Sequence, residues 1–214
     1  MKIFGARASC PLNGTKCGQD ARAPKGWHSR GYLPHFDSPE VVQMLTFRLA
    51  DSLPQGKIEQ WRQSGRCRTD RQLANAIENY LDRGYGSCAL RNPRAASIVE
   101  DALIYFDDTR YKLLSWCVMP NHVHAMLEVV TDFGLSEVLH SWKSFTAKQI
   151  NALMNISGQF WQEDYFDRYI RNEAHFNRAL QYIEHNPVKA GLCNNGGDWP
   201  SSSARLRSVG ILPA

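Results

Sequence analysis

The chain has 214 residues, enough for one good-sized core with peripheral segments, and it is 43% hydrophobic with a mean hydropathy of −0.43. No stretch approaches the roughly 18 consecutive apolar residues of a membrane span, and the basic N-terminus lacks the apolar run of a secretory signal, so a soluble, cytoplasmic protein is expected. The net charge of +4, the pI near 8.8 and the Arg/Lys clusters at 57–71 and 143–148 suit a polyanionic partner.

In chain order, residues 1–30 are rich in Gly, Pro, Arg and Lys without apolar periodicity and are expected to be a disordered tail. Val41–Ala50 is apolar and β-branched, which predicts a strand. Helices are predicted over 58–63 and 71–82, the second with Leu73, Ile77 and Leu81 at helical spacing, and a third over 91–105 opening on Asn92-Pro93. Tyr111–Val118 and His122–Val130 are apolar runs separated by Met119-Pro120-Asn121, the pattern of a hairpin. Leu135–Met154 and Ala174–Asn186 are amphipathic helices, the latter ended by Pro187. The pattern predicts an α+β domain over 31–193, with helices on one face of a mainly antiparallel sheet, and a C-terminal tail over 194–214. Cys10, Cys17, Cys67, Cys88, Cys117 and Cys193 form no CxxC pair and read as reduced thiols, with Cys117 inside a strand.

His122 and His124 lie two apart on the second hairpin strand, so both imidazoles point to one face while Val123, Ala125, Leu127 and Val129 point to the other. Two neutral imidazoles are a partial metal site that needs a further ligand; alone, the pair fits two ordinary strand histidines better. About sixty residues on, Tyr182 and Asn186 stack at i, i+4 on one helix face. Tyrosine has an ordinary pKa of about 10, so as a nucleophile it profits from a metal that polarises the group attacked. Taken singly, Tyr182 also reads as an interfacial residue and Asn186 as a helix cap.

Two segments, SWCVMPNHVHAMLEV (115–129) and FWQEDYFDRYIRNEAHFNRALQYIEHNPVKAGL (160–192), resemble the REP-associated tyrosine transposases, relatives of the single-strand insertion-sequence transposases in the HUH superfamily. RGYLPHFD (30–37) and DWPSSSA (198–204) resemble that family's flanking segments, so the likeness spans roughly 31–205. The resemblance implies a ferredoxin-like fold with a four- or five-stranded antiparallel sheet. It implies Mg²⁺ or Mn²⁺ held by His122, His124 and Asn186, single-stranded or hairpin DNA with REP-like palindromes as substrate, and cleavage by Tyr182 through a 5′-phosphotyrosine. A monomer is favoured. Trp142, Lys143, Lys148, Arg168, Arg171 and Lys189 are weaker candidates for DNA contact. Asp51 is a candidate outer partner of the metal site, whereas Glu184 and His185 point elsewhere on their helix.

The tails carry one more pattern. Synonymous codons for Cys17–Ala21 can be chosen whose reverse complement encodes Gly-Ile-Leu-Pro-Ala, the final residues Gly210–Ala214, so both ends are expected to be translated inverted repeat without a folded role. The rival readings are a non-catalytic hairpin-DNA-binding regulator on the same scaffold, a rolling-circle initiator and a zinc hydrolase. The zinc hydrolase lacks a nearby third His or acidic ligand.

Overall fold

The computed structural model describes residues 26–29, 34–37 and 41–211. The expected tail over 1–25, with Cys10, Cys17 and the Cys17–Ala21 half of the inverted repeat, lies outside the described residues, as does 212–214.

The segment before residue 30 is not all tail: β1 (Gly26–Ser29) pairs antiparallel with β2 (Pro34–Asp37). β3 (Val42–Arg48) follows. A helical pair comes next, α1 (Gln55–Gln63) and α2 (Asp70–Leu81), with Thr69 and Gln72 closing a capping box at the start of α2. This pair has its own small core, in which Leu53, Ile58 and Trp61 meet Leu73, Ile77 and Leu81. α3 (Pro93–Ile104) begins on an Asn92 cap with Pro93 in its first turn, where the missing N–H costs nothing. Then come β4 (Tyr111–Val118), β5 (His122–Val129), α4 (Leu135–Met154), β6 (Phe166–Tyr169), α5 (Glu173–Lys189) and the short α6 (Ser203–Ser208).

β3 to β6 form one antiparallel sheet in the order β4-β5-β3-β6. With helices after β3 and β5, this is the split βαβ arrangement of a ferredoxin-like fold, as expected. Helices cover both faces of the sheet, however, not one. Val123, Ala125, Leu127 and Val129 join Leu103, Leu139 and Trp142 in the core beneath α3 and α4. On the other face Met44 and Met126 meet Ala179 and Ile183 of α5. In β5 the phase facing α5 carries His122, His124, Met126 and Glu128, of which the first three are buried, so this face too is covered.

Two further expectations are corrected. Pro187 does not end the helix: α5 runs through it to Lys189. Proline removes one N–H, but in the last turn that loss is confined to a single ladder bond, and Pro187 is buried while Ala190 N–H reaches the Asn186 carbonyl. The segment after 193 is folded, not a tail. Val118 N–H donates to the Ser201 carbonyl, the Trp199 indole donates to the Val118 carbonyl, and the buried Ser203 hydroxyl accepts from Trp116 N–H. These bonds cover the outer edge of β4, which would otherwise expose unpaired backbone groups. Arg207 then ties α6 to α5 through Glu184 at 2.7 Å. Gly196 passes so close to α5 that a Cβ there would stand 2.4 Å from the Glu184 carbonyl oxygen.

Candidate active site

β5 lies between β4 and β3, with His122 opposite Arg48 and His124 opposite Thr46. Both imidazoles project towards α5 and are 1% exposed. Their Nε2 atoms stand 3.0 Å apart.

Asn121, in the hairpin turn, decides the state of His122. Its Nδ2 donates to the carbonyls of Leu81 (3.2 Å) and Tyr85 (2.9 Å), which fixes its amide and leaves Oδ1 facing His122 Nδ1 at 2.7 Å. Nδ1 of His122 therefore carries the proton, and its Nε2 presents a lone pair. His124 Nδ1 meets the Thr46 hydroxyl at 2.8 Å, a group able to accept its proton, and with the proton there the second Nε2 lone pair faces Asn186 Nδ2 at 3.2 Å. Burial, with the neighbouring Lys189 charge, holds His124 down at about 3; burial, the other imidazole and Lys189 hold His122 well below the usual histidine range. Two neutral imidazoles thus aim nitrogen lone pairs at one point, the donor set of a cation site. An octahedral ion of the Mg²⁺ type holds adjacent donors about 3 Å apart, which the observed separation matches.

α5 supplies the next pair. The Tyr182 ring packs edge-on to His124 with centroids 5.3 Å apart, and Asn186 Nδ2 lies 3.2 Å from His124 Nε2. Asn186 is 1% exposed, and its carbonyl oxygen has no hydrogen-bond partner. The Tyr182 hydroxyl is buried as well and makes no well-formed hydrogen bond. Burial, together with the Glu78 and Asp82 carboxylates, pushes its phenol well above the ordinary value of 10.

Glu78 and Asp82 were missed in the sequence. They lie one turn apart at the end of α2, off the Leu73/Ile77/Leu81 stripe, and so look like an ordinary solvated helix face. The structure turns that face inward: burial pushes the Glu78 carboxyl up, and Asp82 Oδ1 lies 3.9 Å from His122 Nε2. Among the described residues no three His, Cys, Asp or Glu side chains are arranged as a ready-made metal site. The amide oxygen of Asn186 is one further unpartnered donor atom near the histidine pair, and Asp82 Oδ1 is another.

The other expected contacts separate. Lys143 is not available to DNA: its ammonium donates to the Gln162 and Glu163 carbonyls at 3.0 Å each, and burial lowers it to about 8. It clasps α4 to the segment before β6. Trp142 is core, its indole donating to the Tyr111 hydroxyl at 2.9 Å. Lys189 pairs with Asp82 at 2.7 Å. Asp51 accepts from Ser87 N–H on an exposed loop and takes no part in the site. Lys148, Arg168 and Arg171 are exposed, and Arg171 lies over the Tyr169 ring. Glu184 faces α6. His185 lines an open groove of about 780 Å³ beside Tyr182, Asn186, Arg178 and Lys189. Its far wall is formed by Asn195–Gly197 and α6, so the segment expected to be a tail borders the site.

Residues 93–186 match the family described as transposase, IS200 like. The chain is 29% identical over 98 residues to a REP-associated tyrosine transposase of Escherichia coli (strain K12), covering 45% of this chain and 56% of the relative. It is 24% identical over 103 residues to a putative REP-associated tyrosine transposase of Haemophilus influenzae, covering 44% and 58%. The aligned region thus spans little more than half the length of these curated relatives. In fold, the chain is similar to a solved REP-associated tyrosine transposase bound to a REP hairpin, with a TM-score of 0.55 at 20% identity over 86% of this chain and 89% of the other.

Proposed function

We propose that this chain, a relative of the IS200-like transposases, is a single-strand DNA endonuclease and strand-transferase acting on REP-like hairpins. The observation that carries this reading is the meeting of His122 and His124 Nε2, 3.0 Å apart, with the Tyr182 ring 5.3 Å from His124. His122, His124 and Asn186 would hold Mg²⁺ or Mn²⁺, and the bound ion supplies polarisation of the scissile phosphate and offsets its charge.

The remaining chemistry belongs to the chain. Burial and the Glu78 and Asp82 carboxylates raise the phenol, so Tyr182 is a neutral phenol in the free protein and must lose its proton as it attacks. In the reaction its oxygen bonds to the phosphorus, the bond from phosphorus to the 3′ oxygen breaks, and that oxygen leaves as a hydroxyl while the phenol gives up its proton. The phosphoester energy is kept in the 5′-phosphotyrosine, so attack by another 3′-hydroxyl reverses the step and joins strands. Arg178 in the groove, with Arg168, Arg171 and Lys148 outside it, offers cationic contacts that a DNA backbone needs. A monomer associated with the cytoplasmic nucleoid goes with this reading.

The test incubates labelled hairpin DNA from the gene's own flanks with Mn²⁺ and either wild type or Tyr182→Phe. The expected result is a covalent protein–DNA adduct from wild type and none from the variant. Hairpin binding without any adduct from wild type would instead identify a regulator built on the same scaffold.

A further inference from the structure

We infer that Asp82 supplies a carboxylate ligand to the metal held by His122, His124 and Asn186, with Lys189 as the positioning partner of that carboxylate. The inference rests on the proposed metal site and adds to it a residue from α2, a helix outside the 93–186 region that matches the transposase family.

Four observations converge. The Asp82 side chain is 10% exposed, and its Oδ1 is buried with no hydrogen-bond partner, a costly state for a carboxylate oxygen. That same oxygen is the one turned towards the histidines, 3.9 Å from His122 Nε2. Oδ2 is taken by Lys189 Nζ at 2.7 Å, which orients the carboxylate so that the free oxygen faces the pair. The carbonyl oxygen of Asn186 is likewise buried and unpartnered, on the amide whose Nδ2 lies 3.2 Å from His124 Nε2. Two unpartnered oxygens therefore lie beside the imidazole pair, whose Nε2 atoms are 3.0 Å apart.

Charge supports the assignment. Two imidazoles and an amide contribute no negative charge, whereas ions of the Mg²⁺ and Mn²⁺ class favour carboxylate oxygen. Asp82 brings one negative charge to the site, and Lys189 keeps its second oxygen occupied. A merely structural role, an ion pair docking α2 on α5, leaves the unpartnered Oδ1 without explanation; with Lys189 44% exposed, such a pair contributes little.

The decisive measurement is Mn²⁺ affinity, followed by electron paramagnetic resonance on the full chain. It compares wild type, Asp82→Asn, Glu78→Gln and His122→Ala, each checked for folding by circular dichroism in chelator. Asp82→Asn is expected to weaken Mn²⁺ binding by about tenfold or more, as removal of a ligand or its partner does, while Glu78→Gln stays within about twofold. Wild-type affinity in Asp82→Asn together with loss in His122→Ala overturns the role of Asp82 and leaves the histidine site standing. Equal losses in Asp82→Asn and Glu78→Gln overturn it in favour of a general charge effect. Unchanged binding in His122→Ala, or none in wild type, removes the metal site itself and the inference with it. Should Asp82→Asn fail to fold, Asp82→Cys with Cd²⁺ gives a second reading, since thiolate ligates this softer ion. A thiolate–Cd²⁺ ultraviolet band supports the assignment, and its absence in folded protein refutes it.

Discussion

Two buried histidine sites, one on the β1–β2 hairpin and one on the four-stranded sheet, have been driven to opposite protonation states. His35 of β2, 1% exposed, places Nδ1 2.5 Å from Asp167 and Nε2 2.9 Å from Asp164, with Tyr165 against its ring. Burial by itself lowers this histidine, but the hydrogen bonds and charges of the two aspartates outweigh it and raise it to about 9. His122 and His124 are as deeply buried, with an amide and a hydroxyl as their Nδ1 partners, and both are pushed down. Burial disfavours the cation in each case; the partner decides whether that preference survives. An imidazolium between two carboxylates fastens the β1–β2 hairpin to edge strand β6, whereas a neutral pair keeps its lone pairs for a ligand.

The largest expected effect separates the two sites by function. His122→Ala should lower adduct formation on hairpin DNA by about 10²-fold or more, the loss seen when transition-state charge is no longer stabilised. In the same gel-shift assay of covalent product, His35→Gln should form adduct at close to the wild-type rate. A comparable loss in His35→Gln would merge the two sites and break the comparison.

Stability should show the reverse. His35→Ala leaves Asp164 and Asp167 buried without their cation and is expected to cost about 3 kcal/mol in urea unfolding, the scale for breaking a buried ion pair. Asn121→Ala sharpens the other side: with the Nδ1 acceptor gone, the His122 tautomer is no longer imposed, and Mn²⁺ affinity should fall by about tenfold.

The smallest effect is in pH. His35 has a folded value above its unfolded value of about 6.5, so its stabilisation is complete below about pH 6.5 and is lost as pH rises through about 9. His124 is depressed to about 3, so its contribution is present above about pH 6.5 and lost as pH falls towards 3. In chelator, the difference between wild type and His35→Gln should therefore shrink on the alkaline side only. A difference that shrinks on the acid side would reverse the assignment of charge to His35.

Much of this was legible in the residues. The alternation in His122–Val129 announced a strand with one apolar face, and the spacing of Tyr182 and Asn186 placed them together on a helix. Composition concealed the C-terminal segment, because Trp199 to Ser203 holds the β4 edge through backbone and hydroxyl hydrogen bonds, which leave no apolar periodicity to read. Lys143 misled for a related reason: a lysine is written the same way whether its ammonium meets a phosphate or two carbonyls.

By itself, then, the sequence determined the local elements, the histidine pair and the tyrosine beside its asparagine, because strand and helix periods are short-range rules that a few residues satisfy. Only the tertiary structure decided which polar groups share a space. The placement of Asp82 against His122, 40 positions apart, the fixing of His122 by Asn121 through the carbonyls of Leu81 and Tyr85, and the capture of His35 by Asp164 and Asp167 all depend on how elements pack. Protonation and ligand readiness follow from those long-range neighbours, since burial and partner charge have no period along the chain.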